Sequence, residues 1–163
     1  MQVALRRLLP TPDETVTIAE AYSAPLGHHP DRPWVGLCMV ASIDGSTVVD
    51  GRSGALSSPT DAAVMRRLRS LADVVLVGAG TAAGEGYGPP GKEGQRIAVV
   101  TRSGAVDTST ELFTSGAGFI VTTVDAEVEG GTSIDVLRCG SGEVDLTEAI
   151  RRIPEVCPGA TVI

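Results

Sequence analysis

The sequence predicts an α/β fold in three layers, built on a mostly parallel central sheet. Two observations predict it. Apolar runs of strand length recur along the chain, each bounded by Gly, Asp or Pro turns. Helix-start signals fall between these runs, and strands alternating with helices are the pattern of a parallel sheet with crossover connections. The absence of internal repeats and of low-complexity tracts argues for a single domain, for which 163 residues supply enough chain to bury a core.

The elements are read in order. Residues 1–33 form a partly helical N-terminal arm, and 34–163 form the domain. The continuous apolar run from Trp34 to Ile43 ends at Asp44-Gly45 and predicts a central strand buried on both faces. Ser58 before Pro59, with Asp61 in the first turn, predicts a helix start. That helix runs to about Ala72, with Val64, Met65, Leu68, Leu71 and Ala72 on one arc. Arg66 points away from the arc; Arg67 and Arg69 sit on its shoulders, where their stems can lie on the core. Asp73 to Gly78 predicts a second buried strand. The stretch from Ala79 to Lys92 holds five glycines and two prolines, and is predicted not to be helical.

Arg96 to Thr101 predicts a third strand, followed by a short helix around Thr110 to Thr114. Gly118 to Val124 and Ile134 to Arg138 are two further strands. Asp145-Leu-Thr-Glu148 resembles a capping box, opening a helix expected to end before Pro154. Ala160 to Ile163 reads as the start of one more apolar strand. A domain seldom finishes inside such a strand, so the expectation is a domain cut short at its C-terminus.

Composition removes several function classes. A formal net charge of -7 argues against nucleic acid, whose phosphates need a basic surface. Aromatic residues are only 3%, too few for base-stacking platforms. No apolar run is long enough to span a membrane, and the N-terminus lacks a signal-peptide pattern, so the cytoplasm is expected. Cys38, Cys139 and Cys157 form no C-x-x-C pair, and His28 and His29 stand apart from any ligand-spaced partner; no metal site is expected. P-loop, G-x-S-x-G, H-E-x-x-H and zinc-deaminase motifs are all missing. What is left is chemistry done by a cofactor while the protein orients, such as hydride transfer.

Three segments can carry that chemistry. Gly78-Ala-Gly80-Thr81 with Gly84 looks superficially like a dinucleotide fingerprint. Against a Rossmann site stand glycines that open no helix, a strand that is not the domain's first, and no acid at the end of the next strand. A glycine-rich strand exit can still receive a phosphate on bare backbone amides, with Thr81 adding a hydroxyl; its ordinary reading is a turn. Thr101-Arg102-Ser103 offers a guanidinium between two hydroxyls, which suits the 2′-phosphate of NADP where an acid would favour NAD. Third, Ala41 to Gly45, Ser53, Ser57, Ser58 and Arg69 are expected at one sheet edge, with Arg69 a fixed cation for a phosphorylated substrate. An ordinary helix-surface arginine and an Asp-Gly turn are the competing readings.

Arg32-Pro-Trp-Val, Ala41-Ser-Ile-Asp-Gly45, Ser57-Ser-Pro-Thr-Asp61, Arg66-Arg-Leu-Arg69, Ala72 to Thr81 and Glu85-Gly-Tyr-Gly-Pro-Pro90 together resemble the pyrimidine reductase domain of bacterial riboflavin biosynthesis. The likeness is to the stand-alone form, with a dihydrofolate-reductase-like fold. It is strong from Arg32 to Pro90, weaker to Ile163 and absent before Arg32. The resemblance implies an NADPH-dependent reductase of a phosphoribosylamino-uracil, acting by hydride transfer, as a homodimer. It implies that Val40, Ala41, Ala55, Gly78, Gly80, Thr81, Glu85, Thr101, Arg102 and Ser103 meet the cofactor. Ser53, Arg69 and Pro89 are implied on the substrate side, and Asp44, at the strand end bordering the nicotinamide, is the candidate catalytic side chain. A paralogue reducing a pterin, and a nucleotide-binding module without catalysis, are the alternatives.

Overall fold

A computed structural model describes residues 4–9, 14–23, 29–50, 54–129 and 133–163. They fall into two compact units, one comprising Met1–Gly27 with Gly36–Leu71 and the other His28–Val35 with Ala72–Ile163.

In the first unit, β1 (Ala4–Arg7) and β2 (Glu14–Thr17) form an antiparallel pair with Leu5 opposite Val16. Next comes α1 (Ile18–Ala21), a single turn closed by a true capping box: Thr17 Oγ1 accepts from the Glu20 amide, and the Glu20 carboxylate accepts from the Thr17 amide at 2.7 Å. The sequence predicts this arm only as partly helical, because its strand pair carries no strong apolar alternation. A short 3-10 turn, Gly54–Leu56, precedes α2 (Pro59–Leu71). That helix opens as the sequence predicts, with Ser58 Oγ accepting from the Asp61 amide at 3.1 Å. Arg66 is exposed as expected, while Val64, Met65, Leu68 and Leu71 are half-buried. Arg67 reaches back to the carbonyls of Tyr22 and Ser23 at 3.0 and 3.2 Å.

The run from Trp34 to Ile43 is not the central strand that its apolar character predicts. Among the described residues it makes one ladder contact, the parallel bridge of Trp34 with Val162. Leu37 and Met39 are 81% and 67% exposed. An apolar run becomes a strand only where neighbouring backbone takes its N–H and C=O groups, and here pairing stops at Trp34.

The second unit is the three-layer α/β body. Its sheet contains β3 (Val74–Gly78), β4 (Arg96–Val100), β5 (Gly118–Thr122) and β6 (Val136–Arg138), all parallel and in that spatial order. Among the described residues three helices accompany it: α3 (Ala79–Gly84), α4 (Glu111–Thr114) and α5 (Leu146–Val156). Alternate residues of each strand face opposite sides. Val74, Ala98, Phe119, Val121 and Leu137 pack with Ala149 and Ile153 of α5. Val77, Ile97, Val99 and Ile120 pack with Leu112 and Phe113 of α4. Each fully buried large side chain contributes about 1.5–3 kcal/mol, so these two seams hold the body together.

Two details of the helices differ from expectation. Asp145 caps α5 by accepting from the Glu148 amide at 2.9 Å, but the Glu148 carboxylate turns to the Gly140 amide and Arg152, so only half of the capping box forms. The helix also continues through Pro154 to Val156. Proline removes one hydrogen bond, yet Ile153 is buried on the sheet and the Cys157 amide still reaches the Ile153 carbonyl at 2.8 Å. Packing of the last turn outweighs the lost bond.

The two rims of the sheet differ in chemistry. At the N-terminal rim, Asp73 accepts from the Thr161 and Val162 amides, and Lys92 and Gln95 both donate to the Ala72 carbonyl at 2.7 Å. Arg96 lies over the Phe119 ring, 5.1 Å from its centroid, while bonding Asp135, Gly118 O and Val156 O. After α5 the chain returns beside β3, so its direction across the sheet reverses there. Ligands of open α/β sheets bind outside the C-terminal strand ends at such a reversal. That points to the exit of β3.

Candidate functional site

The exit of β3 is helical, which corrects the expectation that Ala79 to Lys92 holds no helix. Gly78 is the N-cap of α3, in extended conformation, and makes no side-chain cap bond. The Glu85 amide closes the turn on Thr81 O at 2.9 Å, and the Tyr87 amide bonds Ala82 O. Ala79, Ala82 and Tyr87 pack on the Val77–Ile120 seam, and the prolines come only after the helix has ended. Counting glycines and prolines over the whole stretch hid a helix that ends before most of them. One argument against a Rossmann site therefore fails, since the glycines do open a helix. A second weakens, because β3 is the first strand of the parallel sheet. The third stands: β4 runs out into Thr101-Arg102, without an acid.

Gly78 and Gly80 are exposed, and a Cβ added to either would meet nothing within 4 Å. Their own chain does not need them to be glycine. Open space over bare backbone is what a closely approaching ligand requires. Thr81, Glu85 and Pro89 are likewise exposed along the same segment.

Beside this exit lies that of β4. Gly78 pairs with Val100 in register, so the two strands leave the sheet as neighbours about 4.8 Å apart. The Thr101 amide bonds Val121 O at 3.0 Å, which keeps Thr101 buried, whereas Arg102 and Ser103 are exposed. Ser103 Oγ accepts from the Ala105 amide at 3.3 Å, shaping the turn. The structure thus brings the Gly78–Thr81 and Thr101–Ser103 candidates to one rim. Sequence reasoning overlooked the next exit along that rim, Thr122-Thr123, although two hydroxyls at the end of an apolar run were a readable signal.

The remaining candidates belong to the first unit. Val40 is half-buried and Ala41 exposed. A tight turn follows, in which the Ser42 amide bonds Ser46 O at 2.9 Å and Gly45 takes φ +86. Asp44 accepts from the Ser42 hydroxyl and the Ser46 amide. These bonds, the hydroxyl foremost, hold its exposed carboxyl below the usual range, so at neutral pH it is an ionised acceptor that ties the turn. Ala55 is exposed in the 3-10 turn, and Arg69 is half-buried in the last turn of α2. Ser53 lies outside the described residues. Ser57 and Ser58 are engaged at the start of α2, where Ser57 Oγ donates to the Asp61 carboxylate at 2.7 Å and Ser58 caps the helix.

The RibD C-terminal domain family matches residues 33–157. A pyrimidine reductase-like protein of Corynebacterium diphtheriae superposes with a TM-score of 0.64 at 22% identity, over 82% of this chain and 64% of that one. The riboflavin biosynthesis reductase of Saccharomyces cerevisiae gives a TM-score of 0.62 at 19% identity, over 89% of this chain and 69% of that one. The deaminase/reductase of Thermotoga maritima gives 0.60 at 20%, over 80% and 38%. The chain therefore spans 64% of the length of the first of these relatives. No curated protein matches the sequence. Likeness at this level shows a shared fold, and the expected α/β class of the dihydrofolate-reductase-like reductases is borne out.

Proposed function

The chain belongs to the RibD C-terminal domain family, and on that premise we propose that it is a pyrimidine reductase of riboflavin biosynthesis. It uses NADPH to reduce a phosphoribosylamino-uracil to the ribitylamino product. The observation that carries the reading is the register of Gly78 with Val100, which makes neighbours of an open glycine exit and an exposed arginine turn. The Thermotoga maritima relative is described as a reductase of this substrate, and the yeast one as a riboflavin biosynthesis reductase.

The residues fit a phosphorylated dinucleotide. Backbone at Gly78 and Gly80 has unfilled space beside it, and Thr81 adds a hydroxyl. Arg102 and Ser103 supply a fork of donors and a hydroxyl for the 2′-phosphate. Bound NADPH supplies the hydride that reduces the ring-opened, imine-like sugar carbon. This chain's own residues bind and orient, and no nucleophile is called for; geometry provides much of the rate. The family resemblance would assign Val40, Ala41, Ala55 and Glu85 to the cofactor as well. The same resemblance would assign Arg69, Ser53 and Pro89 to the phosphorylated sugar, with the Arg69 cation suited to phosphate. Asp44, the candidate catalytic side chain, is held in place by the Ser42 hydroxyl and the Ser46 amide. The homodimer and the cytoplasmic setting belong to the same reading; among the described residues no helix is long and apolar enough to cross a membrane.

The test is NADPH consumption with the phosphoribosylamino-uracil set against dihydrofolate. Turnover of the uracil alone supports the proposal. Turnover of dihydrofolate instead makes the chain a pterin reductase, and binding of NADPH without turnover of either makes it a binding module.

A further inference from the structure

The segment after β5 grips the turn after β4. Thr123 is buried, and its hydroxyl donates to the Arg102 carbonyl at 3.3 Å. Two residues on, Gly104 is buried at φ +77, and a Cβ there would sit 2.2 Å from the Glu127 carbonyl oxygen. The Arg102–Gly104 backbone is therefore held at two points by residues 123–127.

That segment is itself folded by a guanidinium. Arg138, at the end of β6, donates from Nη1 to the carbonyls of Thr123 and Ala126, at 3.2 and 2.7 Å. Arg152 of α5 donates to the Arg138 carbonyl at 2.7 Å. A continuous set of bonds thus runs from α5 through β6 and the 123–126 turn to the backbone of Arg102.

We propose that Thr123 and Arg138 are positioning residues that hold the Arg102 turn, and that through it they set the preference for a 2′-phosphorylated over an unphosphorylated dinucleotide. The inference rests on the reading of Arg102 as the residue that takes the 2′-phosphate. Its physical basis is preorganisation. An arginine side chain has many rotamers to lose, and a backbone free to move adds to what must be ordered when phosphate is bound. A guanidinium placed to within a fraction of an ångström needs a supported backbone beneath it. Loss of support weakens the bond to the 2′-phosphate and leaves contacts to the rest of the dinucleotide unchanged.

The experiment compares the whole chain with Thr123→Val, Thr123→Ser, Arg138→Met and Arg102→Ala. Amide exchange is followed at residues 101–105, and Kd is measured for NADPH and NADH. Thr123→Val and Arg138→Met should speed exchange at the turn and raise the NADPH Kd by about five- to tenfold, the worth of one hydrogen bond, with NADH unchanged. Thr123→Ser, which keeps the hydroxyl, should restore both. Equal loss of the two nucleotides, or exchange no faster than in the parent, overturns the positioning role. Arg102→Ala separates the two ideas: if it leaves the NADPH-to-NADH ratio unchanged, the reading of Arg102 fails. Exchange at the turn still decides whether Thr123 and Arg138 hold it. Thermal melts of each variant identify any that fails to fold, in which case the milder Thr123 pair decides.

Discussion

Asp73 and Thr161 are joined twice, with Asp73 Oδ2 accepting from the Thr161 amide at 2.8 Å and from its hydroxyl at 3.0 Å. The Val162 amide adds a third bond at 3.1 Å, and Lys92 stands 3.5 Å from the other oxygen. Burial pushes the Asp73 carboxyl up, but these bonds and the lysine charge outweigh it and hold the group below its ordinary value. Its stabilisation is therefore present above the unfolded carboxylate range and is lost as pH falls through the lowered folded value. Asp73→Ala should destabilise by about 1–3 kcal/mol at neutral pH, mostly through the bonds to Thr161 and Val162. The part due to Lys92 is small because both side chains are partly solvated. Denaturant unfolding as a function of pH checks it: the gap between parent and variant must close in acid.

Pro154→Ala should raise stability. The proline leaves the Ile150 carbonyl without its helix donor in α5. Restoring that donor is expected to add about 1–3 kcal/mol. The measurement is the urea midpoint; a fall would mean that the ring's packing is worth more than the missing bond.

Arg102→Ala should raise the Kd for NADPH by about ten- to a hundredfold, the range for a hydrogen bond to a charged group. NADH should bind as before. Titrations with the two nucleotides give the ratio, and equal losses would remove the 2′-phosphate role.

Arg69→Glu should raise KM for the phosphorylated substrate, by about tenfold or more for reversing a charge at a phosphate. NADPH affinity should stay near that of the parent. Steady-state kinetics at saturating NADPH, with a separate cofactor titration, tell the two apart. Weakened cofactor binding would reassign the residue.

Much of the second unit was legible from local pattern. Val74–Gly78, Arg96–Val100 and Gly118–Thr122 are apolar runs whose strand pairing exists, so run and strand coincide. Ser58 and Asp145 announced their helices because a cap is a contact across only three residues. The failures have one cause. Whether Trp34–Ile43 becomes a strand depends on partners far along the chain, and whether α5 survives Pro154 depends on the sheet beneath Ile153. The Thr101–Ser103 exit could be placed at the C-terminal rim because it follows directly on an apolar run that forms β4. Thr123 and Arg138 could not be linked to it, since their bonds to Arg102 and to each other span 21 and 15 residues with no local signature.

The polarity of the sheet's rims has an evolutionary consequence. Where β4 begins, Arg96 spends its guanidinium on Asp135, Gly118 O, Val156 O and the face of Phe119. Apart from the buried Arg96 Nε, the polar groups named at that rim are taken up by the protein itself. At the opposite rim, Gly78, Gly80, Arg102 and Ser103 face outward on short connections. Under the proposed function, substitutions of these exposed side chains would retune which ligand is held while drawing little on the interactions of the opposite rim. Such a division lets a lineage change its chemistry at one end of a strand while inheriting stability from the other.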